Sequence, residues 1–342
     1  MLKRSTILAF SIWLFLAGNS YSQLNTYVAF MDKSLIKLDI SNCHTVTIGQ
    51  TALMLYDIAI TPSGQLYGTD AYKLYSIDTN TAALGYIGTI EGLGGAFNSL
   101  TALSDDYLLG GDINSGLYKI NTHTGDTTCI GYTGYLPSGD ITFYKGYYYV
   151  SVAFTNELMK IKLADDQNSI QSVSIVGAMN TPGLNVFGVL TMGNADCNGE
   201  GLKLYAFEGY SVYEVNPANA HCTRVCDTIG YTGAYGAASR AELGFIQEDI
   251  RQRIPNVFTP NNDGANDFFM IPRLTGMDEF NLLIYDRWGN AVYKSNDPAF
   301  AWDGKNTEEK MCNDGTYYFM ISYKNQFCES VKTEKGFVTL LR

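Results

Sequence analysis

A unit of about 40 residues recurs five times along the chain, and a repeat of this size constrains the fold more than any other feature. One apolar-polar phrase recurs in each unit: LIKLD at Leu35, LYSID at Leu74, LYKIN at Leu117, LMKIK at Leu158 and VYEVN at Val212. These starts are separated by 39, 43, 41 and 54 residues. A second phrase follows each one: Ile48-Gly49, Ile87-Gly88, Ile130-Gly131, Val176-Gly177 and Ile229-Gly230. The five units are therefore expected to be copies of one structural element.

Each unit has room for four short strands. The second unit shows them as DIAITP, GQLYGTD, KLYSIDT and LGYIGTI, each separated by turn residues. A four-stranded unit of this length is the size of a β-propeller blade. The first unit lacks an inner strand, and Tyr235–Arg240 has the sequence of an inner strand with nothing after it. We therefore predict an all-β, five-bladed propeller over residues 23–244, closed by this last strand.

The composition fits short strands joined by tight turns. The 342 residues include 34 glycines and 25 tyrosines, and only 17% are charged. The net charge of −11 makes nucleic acid an unfavourable partner, because a phosphate backbone would be repelled.

Polar residues recur where each predicted inner strand begins. They are Asp57, Asn98, Asp140 and Asn185, spaced by 41, 42 and 45 residues, with Tyr235 at the matching place in the closing strand. One interpretation is a ligand site on the propeller axis, where carboxylate and amide oxygens would suit Ca²⁺ or sugar hydroxyls. The other is that each side chain caps backbone N–H groups where the chain enters a blade. Ca²⁺ is the only cofactor suggested, and no metal ligands are assigned.

Two functions follow from this pattern. The first is a module that binds a glycan or protein partner for adhesion or recognition, with exposed tyrosines as the platform, although tyrosines also pack within strands. The second is a secreted glycoside hydrolase or lyase that uses Asp57 and Asp140. The sequence has no GxSxG, HExxH or glycine-rich phosphate motif, and we predict no catalytic residue.

The first 22 residues have the order of a secretory signal peptide. Lys3 and Arg4 precede an apolar run from Ile7 to Leu16, and Ser20 and Ser22 supply small residues before a cut at Gln23. The run is too short to span a bilayer, and no later segment is long and apolar enough. We predict an exported protein that is not integral to the membrane.

The tail carries a series of distinctive motifs. They are IPNVFTPNNDGANDFF from Ile254, LLIYDRWGNAVYKS from Leu282, WDGKN from Trp302, NDGTYYFMISY from Asn313 and KGFVTLLR from Lys335. In order and spacing, residues 254–342 resemble the gliding-motility-associated C-terminal domain, the type B sorting domain of type IX secretion in Bacteroidetes. The resemblance implies recognition by the type IX machinery and delivery to the cell surface or medium. Residues 245–253 are interpreted as a linker.

The same tail alternates as strands do, which predicts a small immunoglobulin-like β-sandwich. Trp288 and Trp302 are expected in its core or corners. Asn261, Asp263, Asn266 and Asp267 could form a Ca²⁺ loop, but a structured turn is the simpler interpretation.

The seven cysteines leave the disulfide pattern open. Cys43 and Cys222 occupy similar turns of blades that a closed ring makes neighbours, whereas Cys197, Cys222 and Cys226 lie in one blade. A disulfide between Cys312 and Cys328 is expected in the C-terminal domain.

Overall fold

The computed structural model describes residues 26–183, 186–193, 201–230, 233–242, 250, 254–264, 266–271, 277–325 and 331–342. The predicted signal peptide 1–22, Asn185, Cys197, Cys328 and the predicted linker apart from Ile250 lie outside these residues. Helical structure in the described residues amounts to short 3₁₀ segments, among them Arg240–Glu242, and no described helix could cross a membrane. The all-β prediction is confirmed.

Twenty strands make up the repeated region, and they form five four-stranded antiparallel sheets. The strands are β1 (Thr26–Phe30), β2 (Ser34–Asp39), β3 (His44–Gln50), β4 (Asp57–Ile60), β5 (Leu66–Thr69), β6 (Lys73–Ile77), β7 (Leu84–Thr89), β8 (Phe97–Ala102), β9 (Tyr107–Asp112), β10 (Gly116–Asn121), β11 (Thr127–Tyr132), β12 (Pro137–Tyr144), β13 (Tyr147–Val152), β14 (Glu157–Leu163), β15 (Ile170–Ala178), β16 (Gly188–Met192), β17 (Lys203–Glu208), β18 (Ser211–Val215), β19 (Cys222–Cys226) and β20 (Ala234–Ser239). From inside to outside, sheet I is β20-β1-β2-β3, sheet II β4 to β7, sheet III β8 to β11, sheet IV β12 to β15 and sheet V β16 to β19.

The five sheets close on one another. Their innermost strands make contacts in the cyclic order β4, β8, β12, β16, β20 and back to β4. Five hydrophobic clusters lie between the sheets, one for each pair of neighbours. Strand β20 pairs with β1, so the predicted pairing of the last strand with the first unit is confirmed. We call this unit, residues 26–242, the sheet ring.

Burial follows directly from this packing. Strands β4 and β16 are buried along their whole length because their sheets are covered on both faces, whereas the outer strand β3 is mostly exposed. The tyrosine run in β13 shows the alternation well. Tyr148 packs between sheets III and IV, while its neighbours Tyr147 and Tyr149 pack between sheets IV and V.

The loops of the sheet ring emerge at two opposite ends. The upper face consists of the described residues of the loops that join second to third strands and of those that lead to each inner strand: 31–33, 51–56, 70–72, 90–96, 113–115, 133–136, 153–156, 179–183, 186–187, 209–210, 227–230 and 233. The lower face consists of the remaining loops. An inner strand therefore always runs from the upper face to the lower face.

The C-terminal part forms one five-stranded sheet in the order β21-β25-β24-β22-β23. Its strands are β21 (Val257–Phe258), β22 (Met277–Tyr285), β23 (Ala291–Ser295), β24 (Gly315–Asn325) and β25 (Lys332–Leu340). One face of this sheet packs on a core that includes Phe258, Phe269, Phe300 and Trp302. The second sheet of a sandwich is not among the described strands, so that part of the prediction stays a prediction.

Two expectations about the tail need correction or refinement. Trp302 is fully buried, but Trp288 is 81% exposed in the turn between β22 and β23 and is not a core residue. Ile250, inside the predicted linker, is 5% exposed and packs in the C-terminal core.

The Asn261 loop is held by Asp267, whose carboxylate accepts hydrogen bonds from the backbone of Asn261, Asn262 and Gly264. That arrangement is the structured turn.

One disulfide joins Cys43 of sheet I to Cys226 of sheet V, the two sheets brought together by ring closure. Cys222 is instead a buried free thiol, so neither a Cys43–Cys222 nor a Cys222–Cys226 pair is formed. Cys312 is also a free thiol in the structure, and the partner expected for it, Cys328, lies outside the described residues.

Candidate functional site

The repeated phrase fixes which residues are equivalent on the inner strands. The second residue of each phrase pairs with a residue of the second strand, which in turn pairs with a residue of the inner strand. The pairs obtained in this way are Ile36 with Ala237, Tyr75 with Ile58, Tyr118 with Leu100, Met159 with Ile141 and Tyr213 with Val189. The residues just before these five form a lower layer: Asp57, Ser99, Asp140, Gly188 and Gly236. The residues one step further up form an upper layer: Tyr56, Asn98, Gly139, Phe187 and Tyr235.

The predicted polar ring is therefore divided between two layers. Asp57 and Asp140 belong to the lower layer, and both are buried, with exposures of 0% and 1%. Asn98 and Tyr235 belong to the upper layer and are partly exposed. Asn98 and Tyr235 each stand at a bulge, so neither is paired with a residue of the neighbouring strand.

In the lower layer, the two aspartates bind backbone groups of neighbouring strands. Asp57 accepts a hydrogen bond from the N–H of Ile58 at 2.7 Å and another from the N–H of Leu100 in sheet III at 2.5 Å. Asp140 accepts one from the N–H of Ala237 in sheet I at 3.1 Å. These contacts are those of the capping interpretation, extended across the axis from one sheet to another.

Glycine makes room for the two carboxyl groups. A Cβ atom at Gly188 would lie 2.5 Å from the Cβ of Asp140, and one at Gly236 would lie 2.5 Å from the Cα of Asp57. Strand β12 consequently contacts both β20 and β4 across the centre of the ring. The axis is filled by protein at this level and has no room for a ligand.

A third carboxyl group closes the axis from below. Glu242 follows the closing strand in the 3₁₀ turn and is 2% exposed. Its carboxylate accepts hydrogen bonds from the hydroxyl of Thr101 and the backbone N–H of Ser239, both at 2.8 Å. Glu242 was not among the predicted site residues because it has no counterpart in the repeats.

Burial raises the pKa of all three acids well above their ordinary values. For Asp140 the charges of Asp57 and Glu242 raise the pKa further. For Asp57 the hydrogen bonds from Leu100 and Ile58 work against burial. For Glu242 the hydrogen bonds from Thr101 and Ser239 do the same.

Asp57 and Asp140 lie close enough for each to shift the pKa of the other, and a hydrogen bond between their carboxyl groups would need a proton because two carboxylates are both acceptors. Both oxygens of Asp57 already accept backbone N–H groups. Oδ1 of Asp140 receives no hydrogen bond from a described donor. Of the two acids, Asp140 is therefore the better placed to hold a proton.

This geometry does not suit the hydrolase or the metal interpretation. Two carboxyl groups that flank a glycosidic bond stand about 5 Å apart or further, with the sugar between them, whereas Asp57 and Asp140 are both buried and accept backbone N–H groups. Among the described residues, no group of three His, Cys, Asp or Glu side chains is arranged to hold a metal ion.

The upper layer is aromatic and open to solvent. The ring of Tyr235 lies edge-on to Tyr56 at 5.8 Å and 6.0 Å from Phe187. Beside them, Nδ2 of Asn98 donates to the carbonyl of Pro137 at 3.0 Å, while its Oδ1 is buried with no partner in the described part of the chain. These residues form a shallow aromatic mouth with one free hydrogen-bond acceptor.

The loops around this mouth present apolar side chains. The exposed large hydrophobic residues in described loops of the sheet ring are Met31, Leu53, Tyr72, Leu93, Ile113, Tyr135, Leu136, Phe154 and Tyr210. All nine lie on the upper face, and the described lower-face loops have none. Leu93 and Phe154 are the most exposed, at 83% and 85%. We call this set the upper apolar residues.

The lower face is different in chemistry. A cavity of about 370 Å³ lies there between sheets IV and V, lined by residues that include Tyr144, Lys203, Glu214 and His221. Lys203 and Glu214 form an ion pair at 2.8 Å across its wall, so their charges are already neutralised.

Comparison with known proteins assigns the tail. Residues 252–340 match the family model described as the CHU_C Type IX secretion signal domain, and this part of the chain is a domain of that class. Its class implies recognition by the type IX machinery and delivery to the cell surface or medium. No curated protein matches the chain.

Solved structures resemble the sheet ring at low identity. An auxiliary nutrient binding protein from Bacteroides thetaiotaomicron is 12% identical, with a TM-score of 0.42, over 62% of this chain and 60% of that chain. Regucalcin, a calcium-binding protein from Agrobacterium tumefaciens, is 16% identical, with a TM-score of 0.39, over 58% and 70%. Virginiamycin B lyase from Staphylococcus aureus is 11% identical, with a TM-score of 0.36, over 60% and 70%. No ligand or activity is transferred from matches this distant.

Proposed function

We propose that the sheet ring is a five-bladed propeller that the type IX machinery delivers outside the cell, where its upper face binds a protein partner. The proposal rests on the position of the upper apolar residues, all nine of which lie on one face of the sheet ring. Exposed apolar patches on soluble proteins mark interaction sites more often than they arise by chance. Tyrosine, phenylalanine and methionine are enriched at the centres of protein interfaces, where charged residues are depleted.

The upper face also has the right charge content for this role. Several of its loops, such as 51–56, 133–136 and 153–156, contain no charged residue. A partner with a complementary apolar surface could bind there with little cost of desolvating charges.

A binding screen tests this proposal. The purified chain without residues 1–22 is applied to arrays of extracellular proteins and of glycans, and any binder is titrated. We expect a protein binder whose affinity falls at least about tenfold when Leu93, Phe154 and Tyr210 are all changed to Ser, because such residues act as hot spots. The matched control is the pair Val46→Ser and Tyr86→Ser, which removes exposed apolar groups from outer strands of the same ring.

A glycan ligand is the second candidate, and one observation favours it. The aromatic mouth of Tyr56, Phe187 and Tyr235 could stack on a sugar, with the partly exposed side chain of Asn98 beside it. Asn98→Ala with Tyr235→Ala would then abolish glycan binding, while the triple Ser variant would not. Absence of any binder in both arrays would contradict the binding role itself.

A further inference from the structure

The five-stranded sheet of the secretion signal domain has two faces of different composition. The inner face packs on the core around Trp302. The other face presents the alternate residues of β22, β24 and β25, which point away from that core. We call it the open face.

Cross-strand pairing assembles an apolar patch at the centre of the open face. Phe337 of β25 lies opposite Tyr318 of β24, and Tyr318 lies opposite Tyr285 of β22. In the next row, Met320 lies opposite Leu283. Phe337 and Tyr318 are 55% and 52% exposed, so the structure leaves this patch uncovered. Paired aromatic side chains on a strand surface are pre-ordered by the sheet and lose little entropy on binding.

Positive charges border the patch. Lys335 lies opposite Met320 on one side, and Lys294 lies opposite Leu283 on the other. Neither lysine has an acidic partner among the described residues, whereas Lys324, further along the same face, pairs with Glu279. The rim therefore suits a partner surface that carries acidic groups around an apolar centre.

An exposed tryptophan stands in the turn that follows β22. Asp286 accepts hydrogen bonds from the backbone N–H groups of Trp288 and Asn290 and from Nδ2 of Asn290. The turn is thus fixed while the Trp288 ring is 81% exposed. Tryptophan and tyrosine are the residues most enriched at binding hot spots, and a fixed backbone reduces the entropy that binding costs.

We propose that the open face, centred on Tyr285, Tyr318, Met320 and Phe337 and rimmed by Lys294 and Lys335, is the surface through which an acidic-rimmed protein of the type IX machinery binds this domain. The occupant follows from the class of the domain, since a secretion signal has to be contacted by the machinery that exports it. The open face offers aromatic anchors, a charged rim and exposure together on one rigid sheet.

Export of the full chain in a bacterium with the type IX machinery tests the proposal. The variant Tyr318→Thr with Phe337→Thr keeps residues that favour strands but removes the aromatic anchors. We expect the amount of protein at the cell surface and in the medium to fall about tenfold or more, with the chain retained in the periplasm. The control Tyr86→Thr makes the same kind of change on an outer strand of the sheet ring and should export like the parent.

A charge variant provides a second test that does not depend on strand packing. Lys335→Glu should also reduce export, whereas Lys310→Glu, on a loop of the same domain where Lys310 pairs with Glu308, should not. Thermal unfolding of each purified variant separates loss of recognition from loss of folding.

Three outcomes would overturn the proposal: normal export of the folded Thr double variant, equal export of the two Lys variants, or a reduction as large in Tyr86→Thr. If export is normal but the double variant loses a concentration-dependent dimer in analytical ultracentrifugation, the open face binds a second copy of the chain instead.

Discussion

Asp57 and Asp140 use their carboxyl oxygens differently, and single substitutions should reveal it. Asn at position 140 can accept from Ala237 and donate to Asp57, as the protonated acid does. Asn at position 57 must point an NH₂ group at the N–H of either Ile58 or Leu100. We expect Asp140→Asn to change the free energy of unfolding by less than about 1 kcal/mol and Asp57→Asn to lower it by about 1–3 kcal/mol. Equal losses in chemical denaturation would contradict the assignment of the proton to Asp140.

The same acids should make the stability of the ring depend on pH. An unfolded chain loses these protons near the ordinary pKa values of 3.8 for Asp and 4.5 for Glu, whereas burial keeps them on the folded ring to higher pH. The unfolded state is therefore increasingly favoured as the pH rises above those values, until the folded-state pKa values are passed. Their contribution to stability is complete only at low pH.

The variant Asp140→Asn isolates this effect, because it removes one of the titrating groups. Melting curves of parent and variant between about pH 5 and about pH 8 should diverge, with the parent losing stability relative to the variant as the pH rises. Other acids, such as Asp286 with its lowered pKa, act equally in both proteins and cancel. Parallel curves across this range would show that folded Asp140 does not keep a proton that the unfolded chain has lost.

At the scale of strands, the close approach of β12 and β16 depends on glycine. An alanine at position 188 would bring its Cβ to 2.5 Å from the Cβ of Asp140, which cannot move away because Ala237 holds its carboxyl group. We expect Gly188→Ala to lower the free energy of unfolding by about 1–3 kcal/mol, as other overpacked cores do. Gly233→Ala is the control, since a Cβ at position 233 meets nothing within 4 Å. A similar effect at both positions would mean that crowding at the axis is not the cause.

The ring is closed twice, by the β20–β1 pairing and by the disulfide between Cys43 and Cys226. Because this bond spans 183 residues, it limits the unfolded chain strongly, and chain-entropy reasoning gives about 5 kcal/mol. Cys43→Ser with Cys226→Ser should therefore lower the melting temperature markedly, and a reductant should do the same to the parent. Cys129→Ser, at an exposed free thiol, is the control. Insensitivity of the parent to reductant would contradict the role given to this bond.

At the scale of strands, the sequence predicted the features that recur in every unit and did not predict those that occur once. The strands and the closing pair were predictable because LYSID-type phrases mark each unit. The layers at the axis were not, because the spacing of polar residues does not determine which residue of each inner strand pairs with which residue of the next strand. Glu242 was not predictable because it has no counterpart in the repeats. Ring closure correctly brought Cys43 next to the fifth unit, but the sequence did not distinguish Cys226 from Cys222 as its partner. Trp288 was misassigned because composition alone does not separate an exposed turn from a core corner.

At the scale of the whole molecule, the chain combines a ring and a signal domain. The part matched as a signal domain begins at residue 252, yet Ile250 already packs in the core of that domain. The functional unit of export is therefore expected to start before the motif-rich segment. In the described part of the chain, Glu242 is the last residue that packs in the ring, and its carboxylate caps the axis.

Deleting Ile254–Arg342 should leave the sheet ring in the periplasm, because the signal predicted at residues 1–22 would serve only for crossing the first membrane. Transferring the tail to another protein is a stricter test of the export signal. A periplasmic reporter fused to residues 243–342 should reach the cell surface, as judged by its accessibility to protease on intact cells.

A fusion that starts at Ile254 lacks Ile250 and should be exported less, because a lost buried isoleucine costs a small domain about 2–5 kcal/mol. The variant Ile250→Ala in the longer fusion should reproduce that loss, and Ile250→Val should largely restore export. Equal delivery by both fusions would place the start of the domain after Ile250, and surface delivery of the ring without any tail would show that the signal lies elsewhere.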